Sequence, residues 1–103
     1  MTRDEFLKDP VLLWLKADKK VEGEWVVAAL RASQQMREAV VGHLVRSISR
    51  VGDLRQARDT AQSIAKLLTP QEISQLKEEI TLDLVEDDDD APWRKDFQEI
   101  FGA

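Results

Sequence analysis

The chain has 103 residues, enough for one domain at most and near the size at which a single core supplies modest stability. Its composition, 43% hydrophobic and 34% charged, is too apolar for full disorder. The absence of cysteine excludes disulfides, thiolate catalysis, Cys-ligated zinc and iron–sulfur centres, and it suits a reducing compartment.

The net charge of −5 is unevenly spread. Residues 1–30 carry 5 positive and 6 negative side chains, residues 31–66 carry 7 and 3, and residues 67–103 carry 3 and 11. A mildly basic middle therefore precedes a strongly acidic end, an asymmetry that bears on partners or on the two halves meeting each other. The N-terminus Met1-Thr2-Arg3-Asp4-Glu5 is too acidic for a signal peptide, and the apolar run Val11 to Leu15 is far shorter than the roughly 20 residues a membrane span needs. A cytoplasmic protein with no membrane partner is the expectation.

In chain order, Thr2 to Glu5 reads as a capping box, with the Thr hydroxyl serving a free N–H at a helix start. Asp9-Pro10 places proline at a first helical position, and Val11, Leu12, Leu13, Trp14 and Leu15 form a short apolar helix expected to be buried. Asp18 to Gly23 reads as a polar turn. Residues 24–51 read as one long helix whose apolar positions, from Trp25 to Val51, sweep an arc of roughly 200°. So wide an arc predicts a central helix touching several neighbours.

Gly52 is the expected terminator of that helix and Asp53 the next N-cap. Leu54, Ala57, Ala61, Ile64 and Leu68 then give spacings of a close helix–helix contact, too short and too alanine-rich for an autonomous coiled coil. Thr69-Pro70-Gln71-Glu72 joins an N-cap, a proline at the first position and a glutamate at the third, which opens a helix with the stripe Ile73, Leu76, Ile80 and Leu84. Glu86 to Asp90 is a run of carboxylates that should stop that helix, because negative charge is unfavourable at a helix C-terminus. Pro92 opens a last short helix with Trp93, Phe97, Ile100 and Phe101 on one face.

The fold class read from these elements is all-α: a small bundle or array of about four helices plus a short C-terminal helix after an acidic linker. The domain boundaries are residues 1–85 for the helical body, 86–91 for the linker and 92–103 for the amphipathic aromatic helix.

Catalytic equipment is thin. There is one histidine, no tyrosine, no glycine-rich phosphate loop and no paired-His or Ca²⁺-loop pattern. His43 reads as a structural or surface histidine. The carboxylate run lacks the glycine and the defined oxygen set of a cation site, so neither a metal nor a cofactor is expected. No catalytic residue is assigned, and the protein is expected not to be an enzyme.

Two binding functions fit. The first is a small adaptor or regulatory protein that binds another protein and self-associates as a homodimer. Trp93, Phe97, Ile100 and Phe101 would be its anchors, and Asp87, Asp88, Asp89 and Asp90 would steer a basic partner. The second is a nucleic-acid-associated regulator in which Arg31, Arg46, Arg50, Arg55 and Arg58 contact phosphates while the acidic tail competes for that face. A helix-turn-helix over residues 55–80 is disfavoured, because its second helix would carry Glu72, Glu78 and Glu79 toward the phosphate backbone.

Overall fold

The computed structural model describes residues 1–84 and 88–102, so Val85, Glu86 and Asp87 lie outside the described residues. Helices α1 (Arg3–Lys8), α2 (Pro10–Lys16), α3 (Gly23–Ala32) and α4 (Gln34–Val51) are followed by a 3-10 turn (Arg55–Ala57) and by α5 (Arg58–Ala65), α6 (Pro70–Asp83) and α7 (Pro92–Phe101). No strand occurs among the described residues. The fold is all-α, a small compact bundle.

Local chemistry explains most boundaries. The Thr2 hydroxyl accepts the Glu5 N–H at 3.2 Å, and Pro10 sits at the start of α2, where its missing N–H has no helical partner to lose. The α2 end folds back in a Schellman arrangement. The Asp18 N–H donates to Leu15 O at 3.0 Å, and the Lys19 N–H donates to Trp14 O at 2.8 Å. Both Asp18 (φ 53°) and Lys19 (φ 62°) hold left-handed backbone there, which is costly for residues bearing a Cβ.

The expected single helix over residues 24–51 is two helices. Ser33 is extended, with φ −134° and ψ 118°, and its hydroxyl accepts the Met36 N–H at 3.2 Å. A serine that caps the following turn competes with helix continuation, and here it wins. The polar stretch Ser33-Gln34-Gln35 marks the break. The arc of residues 24–51 is therefore shared by two helices, and α4 alone is central, packing against α2, α3, α6 and the 3-10 turn.

Gly52 ends α4 in left-handed backbone, φ 85°, as its lack of a side chain permits. The expected helix start at Asp53 is displaced. Asp53 accepts the Arg55 N–H at 3.0 Å in a local turn, while the Ser47 hydroxyl accepts the Gln56 N–H at 3.1 Å and donates to Asp53 O at 2.8 Å. Buried Ser47 thus supplies the polar partner from the preceding helix, and α5 begins only at Arg58. Thr69 and Glu72 form the full capping box: the Thr69 hydroxyl accepts the Glu72 N–H at 3.2 Å, and Glu72 accepts the Thr69 N–H at 2.9 Å.

One core runs through the bundle, with Phe6, Trp14, Met36, Leu44, Leu54, Ile64, Ile80, Trp93 and Phe97 almost wholly buried. Each such side chain contributes roughly 1.5–3 kcal/mol on burial. Close packing between α3 and α5 depends on Gly23, where a Cβ would lie 2.0 Å from the Ser63 carbonyl oxygen. Of the α2 apolar run only Trp14 is buried. Leu12 and Leu15 stay 46% and 49% exposed, on a helix that packs mainly against α1 and α4. The final helix packs on α5, with Phe97 stacked on Phe101 at 4.4 Å and edge-on to Trp93 at 6.2 Å.

Candidate functional site

Of the five arginines singled out by sequence, three are paired to carboxylates within the chain. Arg31 lies on α3, beyond the Ser33 break, and grips Glu72 of α6 with two bonds of 2.9 and 2.8 Å while also donating to Leu67 O at 3.2 Å. Arg55 grips Asp53 with two 3.0 Å bonds, and Arg58 donates to Asp96 of α7 at 2.6 Å. These three are structural cations whose charge is matched within the chain. Arg37, which sequence reasoning passed over, is matched too, by Glu79 at 2.8 and 3.0 Å.

Arg46 and Arg50 differ. Both are exposed on α4, and neither forms an ion pair or a side-chain hydrogen bond among the described residues. With His43 they stand at intervals of three and four residues, one face of one helix. Packing brings Leu15 and Lys19 of the α2 end and Gln56 of the 3-10 turn to that face, and together these residues and Ser47 line an open trough of about 350 Å³. Its lining holds three fixed cations and no carboxylate, in a chain of net charge −5. A second hollow of about 280 Å³ shares Lys19, His43 and Gln56 and is also lined by Lys20, Asp18 and Asp59.

The trough is electropositive enough to act on its own histidine. Burial, then the charges of Lys19 and Arg46, push the His43 imidazole from the ordinary 6.5 down to about 4, so the ring is neutral at pH 7. The imidazole meets the Trp14 ring edge-on at 5.7 Å, and the Lys19 ammonium sits 5.7 Å from the same indole. Two left-handed residues at the α2 end hold Lys19 in that position.

Chemically, the trough can bind an anion, and Leu15 adds an exposed apolar side chain on its α2 side. Its lining includes the Ser47 hydroxyl and the His43 imidazole, and the hydroxyl is engaged with the Asp53 carbonyl and the Gln56 N–H. No group of three or more metal-ligating side chains occurs among the described residues, and no helix there is long and apolar enough to cross a membrane.

The aromatic residues of the last helix lie elsewhere. Trp93, Phe97 and Phe101 are buried in the chain's own core and Ile100 is half-buried, so as packed they present no apolar face to a partner. Asp88, Asp89 and Asp90 are exposed, whereas Asp87 is outside the described residues. Lys19 and Gln56 were invisible as site residues because only tertiary packing brings them to α4. The 43, 46, 50 spacing was the signal within reach. No protein family, no curated protein and no solved structure matches this chain.

Proposed function

We propose that this protein is a non-catalytic adaptor that captures an acidic segment of another protein in the trough formed by Lys19, His43, Arg46, Arg50 and Gln56. The observation that carries the reading is a concavity walled by cations with no counter-charge. Arg31, Arg37, Arg55 and Arg58 each have a carboxylate within 3.0 Å, while Arg46 and Arg50, on the wall of a concavity, have none among the described residues. Leu15, exposed on the trough wall, favours a peptide over a nucleic acid, because a protein segment brings apolar side chains to lie against it and a phosphate backbone does not. Net charge disfavours nucleic acid as well.

The test is fluorescence anisotropy with a glutamate-rich, leucine-bearing peptide, compared with duplex DNA and single-stranded RNA. Wild type binds the peptide in preference to either nucleic acid, and Arg46→Glu with Arg50→Glu weakens peptide binding by roughly tenfold or more, about 1.4 kcal/mol. Unchanged peptide binding by the double variant, or tighter binding of nucleic acid than of peptide, contradicts the proposal.

A further inference from the structure

We infer that the trough has a second occupant: the acidic turn Asp88–Asp90 of another copy of this chain, so that self-association and capture of a foreign acidic segment compete for the same cations. This rests on the reading of the trough given above and adds its regulation. The two surfaces are complementary in charge. The trough lining presents Lys19, Arg46 and Arg50 with no carboxylate. The turn presents three exposed aspartates, none of them in an ion pair among the described residues.

The turn is also built to hold its shape. The Asp88 carboxylate accepts the Asp90 N–H at 3.1 Å. The Asp88 carbonyl accepts the Ala91 N–H at 2.9 Å and the Arg94 Nε–H at 3.2 Å. Those bonds use the backbone and one carboxylate oxygen of Asp88, leaving the Asp89 and Asp90 carboxylates facing outward. Rooted on α7, whose aromatics are fixed in the core, the turn loses little further freedom on docking.

Within one chain, none of these aspartates meets Lys19, Arg46 or Arg50. A second copy is the partner whose acidic segment is present at the same concentration as the trough itself. Because turn and trough are different patches, the contact is heterologous. It propagates head to tail, or closes reciprocally where two copies can satisfy both contacts at once.

Sedimentation velocity on the full chain tests this at about 0.01 M and about 1 M salt, between which the screening length falls from about 30 Å to about 3 Å. The expected result is a mass that rises with protein concentration at low salt and stays that of a single chain at high salt. Arg46→Glu/Arg50→Glu is monomeric in both, and so is Asp88→Lys/Asp89→Lys/Asp90→Lys. An equimolar mixture of the two variants associates again, since each trough then meets a turn of opposite charge. Far-ultraviolet circular dichroism verifies that both variants keep their helices, and all changed positions are exposed. A wild type that stays monomeric at low salt, a reversal that leaves association unchanged, or a mixture that fails to associate overturns the inference. A monomeric wild type that still binds the acidic peptide sinks self-docking alone, whereas loss of both sinks the trough reading with it.

Discussion

The carboxylate of Asp96 on α7 accepts the backbone N–H of Leu54, at the entry to the 3-10 turn, at 2.9 Å, and the same carboxylate holds Arg58 at 2.6 Å. Asp96 is only 8% exposed, and Leu54 is wholly buried. The last helix is thereby fastened to the body by a polar clasp as well as by its aromatic face. Replacing Asp96 with alanine strands a buried N–H, and the expected loss is about 2 kcal/mol in urea unfolding followed by circular dichroism. Asp96→Asn keeps an acceptor for Leu54 and loses less. Equal stability of wild type and Asp96→Ala would show that the clasp contributes nothing.

Two glycines inside helices should respond in opposite directions to alanine. At Gly23 the added Cβ meets the Ser63 backbone, which has no rotamer to yield, so Gly23→Ala should destabilise by about 1–3 kcal/mol. At Gly42, in the interior of α4, the new Cβ meets nothing within 4 Å beyond its own stretch of helix, and Gly42→Ala should stabilise by about 0.5–1 kcal/mol. Chemical denaturation of the pair checks the α3–α5 packing directly.

These residues show where the sequence was legible and where it was not. Thr69 to Glu72 announced a helix start because every contributing group lies within four consecutive positions. Gly52 likewise marked the end of α4 by local backbone need. Ser33 was passed over because apolar residues continue on both sides at helical spacing, and a break of one residue scarcely disturbs the periodicity. The Gly23–Ser63 approach joins residues far apart in the chain, and the Ser47 cap reaches back across a turn from Gln56, nine positions on, at a spacing no helix-start pattern records. The same holds for the site. Arg46 and Arg50 were legible as a helix face, but their difference from Arg31, Arg55 and Arg58 lies in which carboxylates the fold supplies.

Lys19 stands at φ 62°, so side-chain substitutions there separate backbone strain from charge. Lys19→Gly should be more stable than Lys19→Ala by about 1 kcal/mol, because only the glycine relieves the left-handed conformation. Both variants remove the same trough cation and should weaken acidic-peptide binding to a similar extent. A glycine variant that binds as well as wild type would mean that the Lys19 charge plays no part.

Acid should destabilise the protein in two stages. His43 has a folded pKa of about 4 against an ordinary 6.5, so below pH 6.5 the unfolded chain takes up a proton that the folded ring resists. Its contribution to stability is complete above pH 6.5 and declines as pH falls toward 4. Glu72, held down to about 2 from 4.5 by its bonds from Arg31 and the Thr69 N–H, acts lower. Its contribution is complete above 4.5 and is lost as pH falls through about 2. Urea midpoints measured across this range should lose the upper stage in His43→Gln and the lower stage in Glu72→Gln.

The most direct test of the central claim is a two-dimensional ¹H–¹⁵N NMR titration of the uniformly labelled chain with the glutamate-rich, leucine-bearing peptide. Saturable shift changes should cluster at Leu15, Lys19, His43, Arg46, Arg50 and Gln56. The His43 imidazole should titrate at a higher pH in the complex, because bound carboxylates favour its charged form. Changes centred on α7, or none at millimolar peptide, would contradict the account and return the search for a working surface to the rest of the molecule.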